Sequence, residues 1–270
     1  MLQPLSARIC PGDSPSGPTG GSLVFVDADN TLWDTDAVYA RAQLHLLARV
    51  EGCLGTFAKV SDRLGFVRAV DQCLAEKHHR QLRYPVRLLI RGLEHALSGL
   101  SPEHAARLAW SRASDHGRLT TLEMAQLEVE FSAELSATPR ARRGVMRGLS
   151  ALRQRDCRVV VLTEGSLARV RATATALAID AYLERVVEVK KEQATLVRIH
   201  KALGAPVNVI MVGDQLERDI RPAQLAGFTT VYFPGRFRPR WERTTDDITP
   251  DFIIHSFTEV STIVGKTAGP

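Results

Sequence analysis

One stretch constrains the fold before any other: SLVFVDADNTLWDTD, Ser22 to Asp36. Its LVFVD portion is an unbroken apolar run of strand length. It does not alternate apolar with polar residues, so both faces of the strand are expected to be covered, the pattern of a parallel sheet. Five later segments have the same character: RVVVLTEG from Arg158, VVEV from Val186, VNVIMVGD from Val207, TTVYF from Thr229 and DFIIHS from Asp251. Helical patterns separate them: SLARVRATATALAI, KEQATLVRIHKALG with Gly204 at its end, and ERDIRPAQLAG closing at Gly227. Strand, helix and strand repeated in this way predict an α/β fold, a Rossmann-like doubly wound parallel sheet.

One interval breaks the rhythm. From about Asp34 to Ala141 there is no convincing strand, only amphipathic pieces of helix length, among them TDAVYARAQLHLLARVEG, PVRLLIRGLEHALSG and TLEMAQLEVEFSAEL. The expected organisation is a flexible leader over residues 1–20, an α/β core formed by 21–33 and 142–270, and an inserted α-helical domain over 34–141.

Composition sets the outer limits. With 270 residues, 44% of them hydrophobic, the chain can bury a substantial core. The first twenty residues are rich in Pro, Gly and Ser and lack the apolar centre and cleavage site of a secretory signal; no later segment approaches the roughly 18 uninterrupted apolar residues of a membrane span. A soluble cytoplasmic protein is expected. Cys10, Cys53, Cys73 and Cys157 form no CxxC pair, which argues against a zinc site and a disulfide framework. The net charge of +5 is compatible with an anionic substrate, a nucleic acid or an Arg-rich proteome.

In open α/β sheets ligands bind beyond the carboxyl ends of the strands, and there the polar residues collect: Asp27 and Asp29 after the first strand, Thr163 after the second, Lys190 after the third, Asp214 after the fourth. Asp27 and Asp29 point to the same side if the chain stays extended and splay if it turns. Asp219, in GDQLERD, adds a further acid. So many converging carboxylates repel unless a cation neutralises them, and an all-oxygen, thiol-free donor set suits Mg²⁺. Opposite them, the hydroxyl of Thr163, the backbone N–H groups of the helix start that follows, and Lys190 with Lys191 form a candidate phosphate cradle. One aspartate can attack phosphorus while its neighbour shuttles the proton.

The ordered set resembles the haloacid dehalogenase-like (HAD) superfamily of phosphohydrolases. DADNT matches its DxDxT motif, VVVLT is similar to the second motif, the lysine after VVEV to the third, and GDQLERD to the GDxxxxD fourth; the insert lies where that superfamily carries its C1 cap. The resemblance implies Asp27 as nucleophile and Asp29 as general acid/base. It implies Mg²⁺ held by the Asp27 carboxylate, the Asp29 backbone carbonyl and Asp214, with Asp219 supporting the metal or the lysine. Thr163 and Lys190 would hold the phosphoryl group. Dehalogenases of the family lack the second aspartate of the first motif, so Asp29 favours phosphoryl transfer. Two departures stand out: Glu164 replaces the small or amide residue common after the threonine, and Lys190 and Lys191 occur in tandem. Lys190 is preferred because it ends the strand directly.

The expected activity is Mg²⁺-dependent hydrolysis of a small phosphorylated metabolite through an aspartyl-phosphate. Alternatives are a phosphomutase or phosphotransferase on the same core, a non-catalytic HAD-like protein, and processing of nucleic-acid ends. EKHHRQLRYPVR, with His78, His79, Arg80, Arg83 and Arg87, is expected to be solvated surface, since adjacent histidines leave a helix on different faces. TPRARRGVMRGLSALRQRDCR reads as the solvated face of a helix returning from the insert. GRFRPRWER, with Phe237 and Trp241, reads as a surface loop, so a nucleic-acid partner is not expected. Trp33 is expected to pack between core and cap. No feature of the sequence addresses oligomeric state.

Overall fold

The computed structural model describes residues 21–77, 84–111, 117–240 and 247–267, which fall into two compact units. The leader, Cys10, the stretch His78–Arg83 and Trp241 lie outside the described residues.

The α/β unit comprises residues 21–35, 138–237 and 247–267. Its strands are β1 (Leu23–Asp27), β2 (Arg158–Thr163), β3 (Arg185–Glu188), β4 (Val209–Gly213), β5 (Thr229–Tyr232) and β6 (Phe252–Ile253). They form one sheet in the order β3-β2-β1-β4-β5-β6, and every pairing is parallel. Phe25 lies opposite Val160 on one side and Met211 on the other, so β1 is central.

The helices of this unit are α6 (Val145–Gln154), α7 (Leu167–Ala176), α8 (Gln193–Ala202), α9 (Arg221–Leu225) and α10 (Glu259–Thr267). Because successive strand residues face opposite sides, Val24 and Val26 join one apolar cluster with Leu149, Val170 and Val260 of α6, α7 and α10. Leu23 and Phe25 join the other, with Leu196 of α8 and Ala223 of α9. Both faces are covered, which is why LVFVD shows no alternation. Burying a side chain such as Phe25 stabilises by roughly 1.5–3 kcal/mol.

Five of the six strands match the expected segments closely. DFIIHS contributes only Phe252 and Ile253 to an edge strand; at its start the Asp251 carboxylate accepts both the Thr230 N–H and the Thr230 hydroxyl at 2.7 Å in place of the ladder. ERDIRPAQLAG does not form one helix: Leu216–Ile220 is a π-type turn, followed by the short α9 with Pro222 in its first turn.

The helical unit comprises residues 36–137 together with 238–240. It holds α1 (Thr35–Leu54, which begins one residue inside the α/β unit), α2 (Arg63–Lys77), α3 (Val86–Leu97), α4 (Pro102–Trp110) and α5 (Thr121–Leu135). Leu47, Val70, Ile90, Ala105 and Leu127 represent the five helices in a single apolar cluster. A Cβ on Gly92 would meet Val70, so glycine there permits close approach of α3 to α2. The start of α5 is fixed by a capping box between Thr120 and Glu123. Residues 238–240, expected with the core, join this unit because the Arg240 N–H donates to Gln72 at 2.7 Å. Arg87, from the basic segment, pairs with Glu128 on the surface of the same unit.

Candidate active site

The sheet order reverses at β1: the chain runs outward to β2 and β3 on one side, and β4, β5 and β6 extend on the other. Such a switch point opens a crevice at the carboxyl ends of the two central strands. Asp27 is the last residue of β1, and Asp214 follows the last residue of β4.

Asp27 is buried, and its carboxylate is bonded to Lys191 Nζ. The same ammonium donates to Asp219 Oδ1 at 2.6 Å. Asp219 is itself 1% exposed, and its Oδ2 accepts the Gln215 N–H at 3.0 Å, so both of its oxygens are engaged. The π-type turn makes this possible by folding Asp219 back over its own segment, with its N–H bonded to Gln215 O. Burial pushes the Asp27 carboxyl up to about 7; the Lys191 charge opposes that shift, while the neighbouring acids Asp219 and Asp29 reinforce it. For Lys191, burial works against the charged form, but Asp219 and Asp27 more than offset it and raise the ammonium above the usual lysine value.

Asp27, Asp214 and Asp219 each offer a carboxylate oxygen, and these oxygens lie within 4.8 Å of one another. This all-oxygen donor set fits a hard divalent ion such as Mg²⁺. The Asp29 side chain is turned elsewhere. Its Oδ1 accepts the Trp33 indole N–H at 3.0 Å and the Thr35 hydroxyl at 2.6 Å. The two carboxylates of DADNT therefore splay: Asn30 takes a left-handed conformation at φ 59°, and the chain turns, with Leu32 N–H bonded to Ala28 O.

Thr163 ends β2 and is buried, its hydroxyl accepting the Gly165 N–H at 2.9 Å. A Cβ on Gly165 would stand 3.3 Å from Thr163 Oγ1 and 3.7 Å from Asp29 Oδ2, so glycine keeps the space between these groups clear. The first N–H of α7, on Leu167, is taken by Glu188 at 2.9 Å, which removes one of the helix-start donors expected for a phosphate cradle.

The structure places the two tandem lysines in different surroundings. Lys190 has a side chain 78% exposed and pairs with Glu192, whereas Lys191 enters the acidic cluster. The reason is the pleat: β3 stops at Glu188, Val189 N–H still bonds Thr163 O, and the next two side chains leave on opposite sides. The tandem KK conceals that register. Trp33 and Thr35 orient Asp29, a role that no motif spacing marks; Trp33 is 1% exposed within the α/β core.

A family model described as haloacid dehalogenase-like hydrolase matches residues 22–227. The chain belongs to that family of hydrolases. No curated protein matches the sequence. Solved structures share the fold. A HAD-like family hydrolase from Xanthomonas campestris is 19% identical, with 92% of this chain and 96% of that chain covered and a TM-score of 0.61. The HAD-hydrolase YfnB from Bacillus subtilis, solved bound to magnesium, is 16% identical, with 90% and 98% covered and a TM-score of 0.58. A protein from Haemophilus somnus, predicted to be a phosphoglycolate phosphatase, is 19% identical, with 92% and 99% covered and a TM-score of 0.53. No helix among the described residues is long and apolar enough to cross a membrane.

Proposed function

We propose that this hydrolase is a Mg²⁺-dependent phosphatase acting on a small phosphorylated molecule through an aspartyl-phosphate on Asp27. The observation that carries the reading is the buried cluster at the switch point, where Lys191 bridges Asp27 and Asp219 and Asp214 completes the set of carboxylates. An Asp27 oxygen attacks phosphorus, and the bond from phosphorus to the ester oxygen breaks. Asp29 gives its proton to the leaving oxygen, then takes one from the water that cleaves the acyl phosphate and frees inorganic phosphate. Trp33 and Thr35 hold Asp29 Oδ1, which leaves Oδ2 toward Gly165 for that proton. The Thr163 hydroxyl and the Lys191 ammonium hold the phosphoryl oxygens.

Asp27, Asp214 and the Asp29 backbone carbonyl, with Asp219 in support, would hold Mg²⁺, which would supply charge neutralisation between the attacking carboxylate and the phosphoryl group. The magnesium in the Bacillus protein of like fold is in keeping with this assignment. The helical unit is assigned the role of the cap that selects substrate. Free Cys53, Cys73 and Cys157 are in keeping with a reducing, cytoplasmic setting.

The test is phosphate release from a panel of phosphorylated metabolites, with Mg²⁺ or with EDTA, for wild type and Asp27→Asn. Release that requires both Mg²⁺ and Asp27 is the expected result. Transfer of the phosphoryl group to a sugar hydroxyl in preference to water would replace hydrolysis by a mutase activity, and silence toward every ester would overturn the reading.

A further inference from the structure

Glu164 is one of the two departures from the motif pattern, and each of its carboxylate oxygens accepts a hydrogen bond. Its Oε1 accepts the backbone N–H of Lys191 at 3.1 Å, and its Oε2 accepts Arg218 Nη1 at 3.2 Å. Three separate loops leave the carboxyl ends of β2, β3 and β4, and this one carboxylate ties all three together. The Glu164 bond holds the backbone of the same residue whose ammonium contacts Asp27 and Asp219. We infer that Glu164 is a positioning residue for Lys191, and that Arg218 neutralises it so that an anionic substrate can approach the Thr163–Gly165 loop. The inference rests on the phosphatase reading and adds to it the device that sets the lysine and the charge at the rim.

Two physical arguments support it. A lone surface ion pair contributes little and positions nothing, but here one partner also holds the backbone of a residue inside the site. A carboxylate next to the residue assigned to the phosphoryl group repels a dianionic ester, and the Glu164 and Arg218 side chains are 29% and 35% exposed, so that charge is open to an approaching anion.

The experiment measures hydrolysis of p-nitrophenyl phosphate with Mg²⁺, alongside calorimetric binding of inorganic phosphate, which needs no turnover. Glu164→Ala is expected to lower kcat about tenfold or more through misplacement of Lys191. Glu164→Gln, which keeps an acceptor for the Lys191 N–H, is expected to restore most of that loss. Arg218→Ala is expected to leave kcat nearly unchanged while raising KM and weakening phosphate binding by roughly three- to tenfold, because Glu164 is left unneutralised. Glu164→Gln combined with Arg218→Ala is expected to bring KM and phosphate binding back toward wild type, an effect that a merely structural pair does not produce.

An active wild type whose kcat is unchanged in Glu164→Ala, or a glutamine variant no better than alanine, overturns the inference and leaves the phosphatase reading intact. Should Glu164→Ala fail to fold, a Glu164→Gln/Arg218→Ala variant with no recovery in KM or phosphate binding overturns it equally. A wild type that neither turns over nor binds phosphate sinks both.

Discussion

Lys191 Nζ stands 2.6 Å from Asp219 Oδ1, with Asp27 on its other side and the lysine side chain only 4% exposed. A buried ammonium shared by two carboxylates cannot be removed without leaving those charges unpaired, which costs roughly 3–5 kcal/mol. Lys191→Met is therefore expected to lower the melting temperature of the metal-free protein and to reduce kcat/KM about 10²- to 10³-fold. Lys190→Ala breaks only an exposed pair and is expected to stay within about twofold of wild type. Phosphate-release kinetics on the two variants would reverse the assignment of the lysine if Lys190→Ala were the damaged one.

The metal should bind against a proton. Burial lifts the Asp27 carboxyl from its ordinary 3.8 to about 7 in the metal-free protein. A folded value above the unfolded one means that the group's contribution to stability is fully present below 3.8 and is lost as pH rises through about 7. Mg²⁺ favours the ionised carboxylate, so the rise in melting temperature on adding Mg²⁺ is expected to be larger near pH 8 than near pH 5.5. Lys191, whose value is raised, stays cationic throughout that window. An equal Mg²⁺ effect at both pH values would remove Asp27 from the metal site.

Most of the sheet was legible because buried parallel strands announce themselves by uninterrupted apolar runs, and the acids at the ends of β1 and β4 followed from where such strands stop. What the sequence withheld was direction. DADNT does not say whether its two carboxylates point together, because the turn depends on the left-handed Asn30. KK does not say which lysine faces inward, because that depends on the residue at which β3 stops pairing. Among the described residues the carboxylate of Glu164 takes its hydrogen bonds from donors 27 and 54 positions away in sequence. Side-chain orienters such as Trp33 act through geometry that only the folded turn creates.

Arg142 closes the turn that carries the first motif. Its guanidinium donates to the backbone carbonyls of Asn30, Phe233 and Pro234, the last at 2.7 Å, and lies 3.5 Å from the centroid of the Phe233 ring. Beside it, Asp34 N–H bonds Arg140 O and Arg142 N–H bonds Leu32 O, so the departing and returning segments of the α/β unit run side by side. Arg142→Met keeps the apolar stem but strands three carbonyls, and is expected to destabilise this unit by about 2–4 kcal/mol. Arg142→Lys offers a point charge in place of a planar fork and is expected to recover less than half of that loss. Chemical denaturation of the three proteins checks both expectations; a methionine variant as stable as wild type would reduce the clamp to incidental contact.

Gly213 gives the sharpest separation of site geometry from general stability. It ends β4, and a Cβ placed there would fall inside van der Waals distance of Asp219 Cβ and Cγ. Asp219 has no room to yield, since one oxygen holds Lys191 and the other the Gln215 N–H. Gly213→Ala therefore has to displace either the π-type turn or the Asp219 carboxylate, and both outcomes pull Lys191 away from Asp27. It is expected to weaken Mg²⁺ binding and lower kcat/KM about 100-fold or more, on the scale of a 1 Å misplacement. Gly227→Ala is the control: Gly227 sits at φ 78° and a Cβ there would meet nothing within 4 Å, so alanine strains the backbone by roughly 1–2 kcal/mol and leaves the site alone. Calorimetric Mg²⁺ titration with thermal melts on both variants distinguishes the two effects. A Gly213→Ala protein that binds Mg²⁺ like wild type would show that Asp219 is not held as tightly as its two hydrogen bonds require.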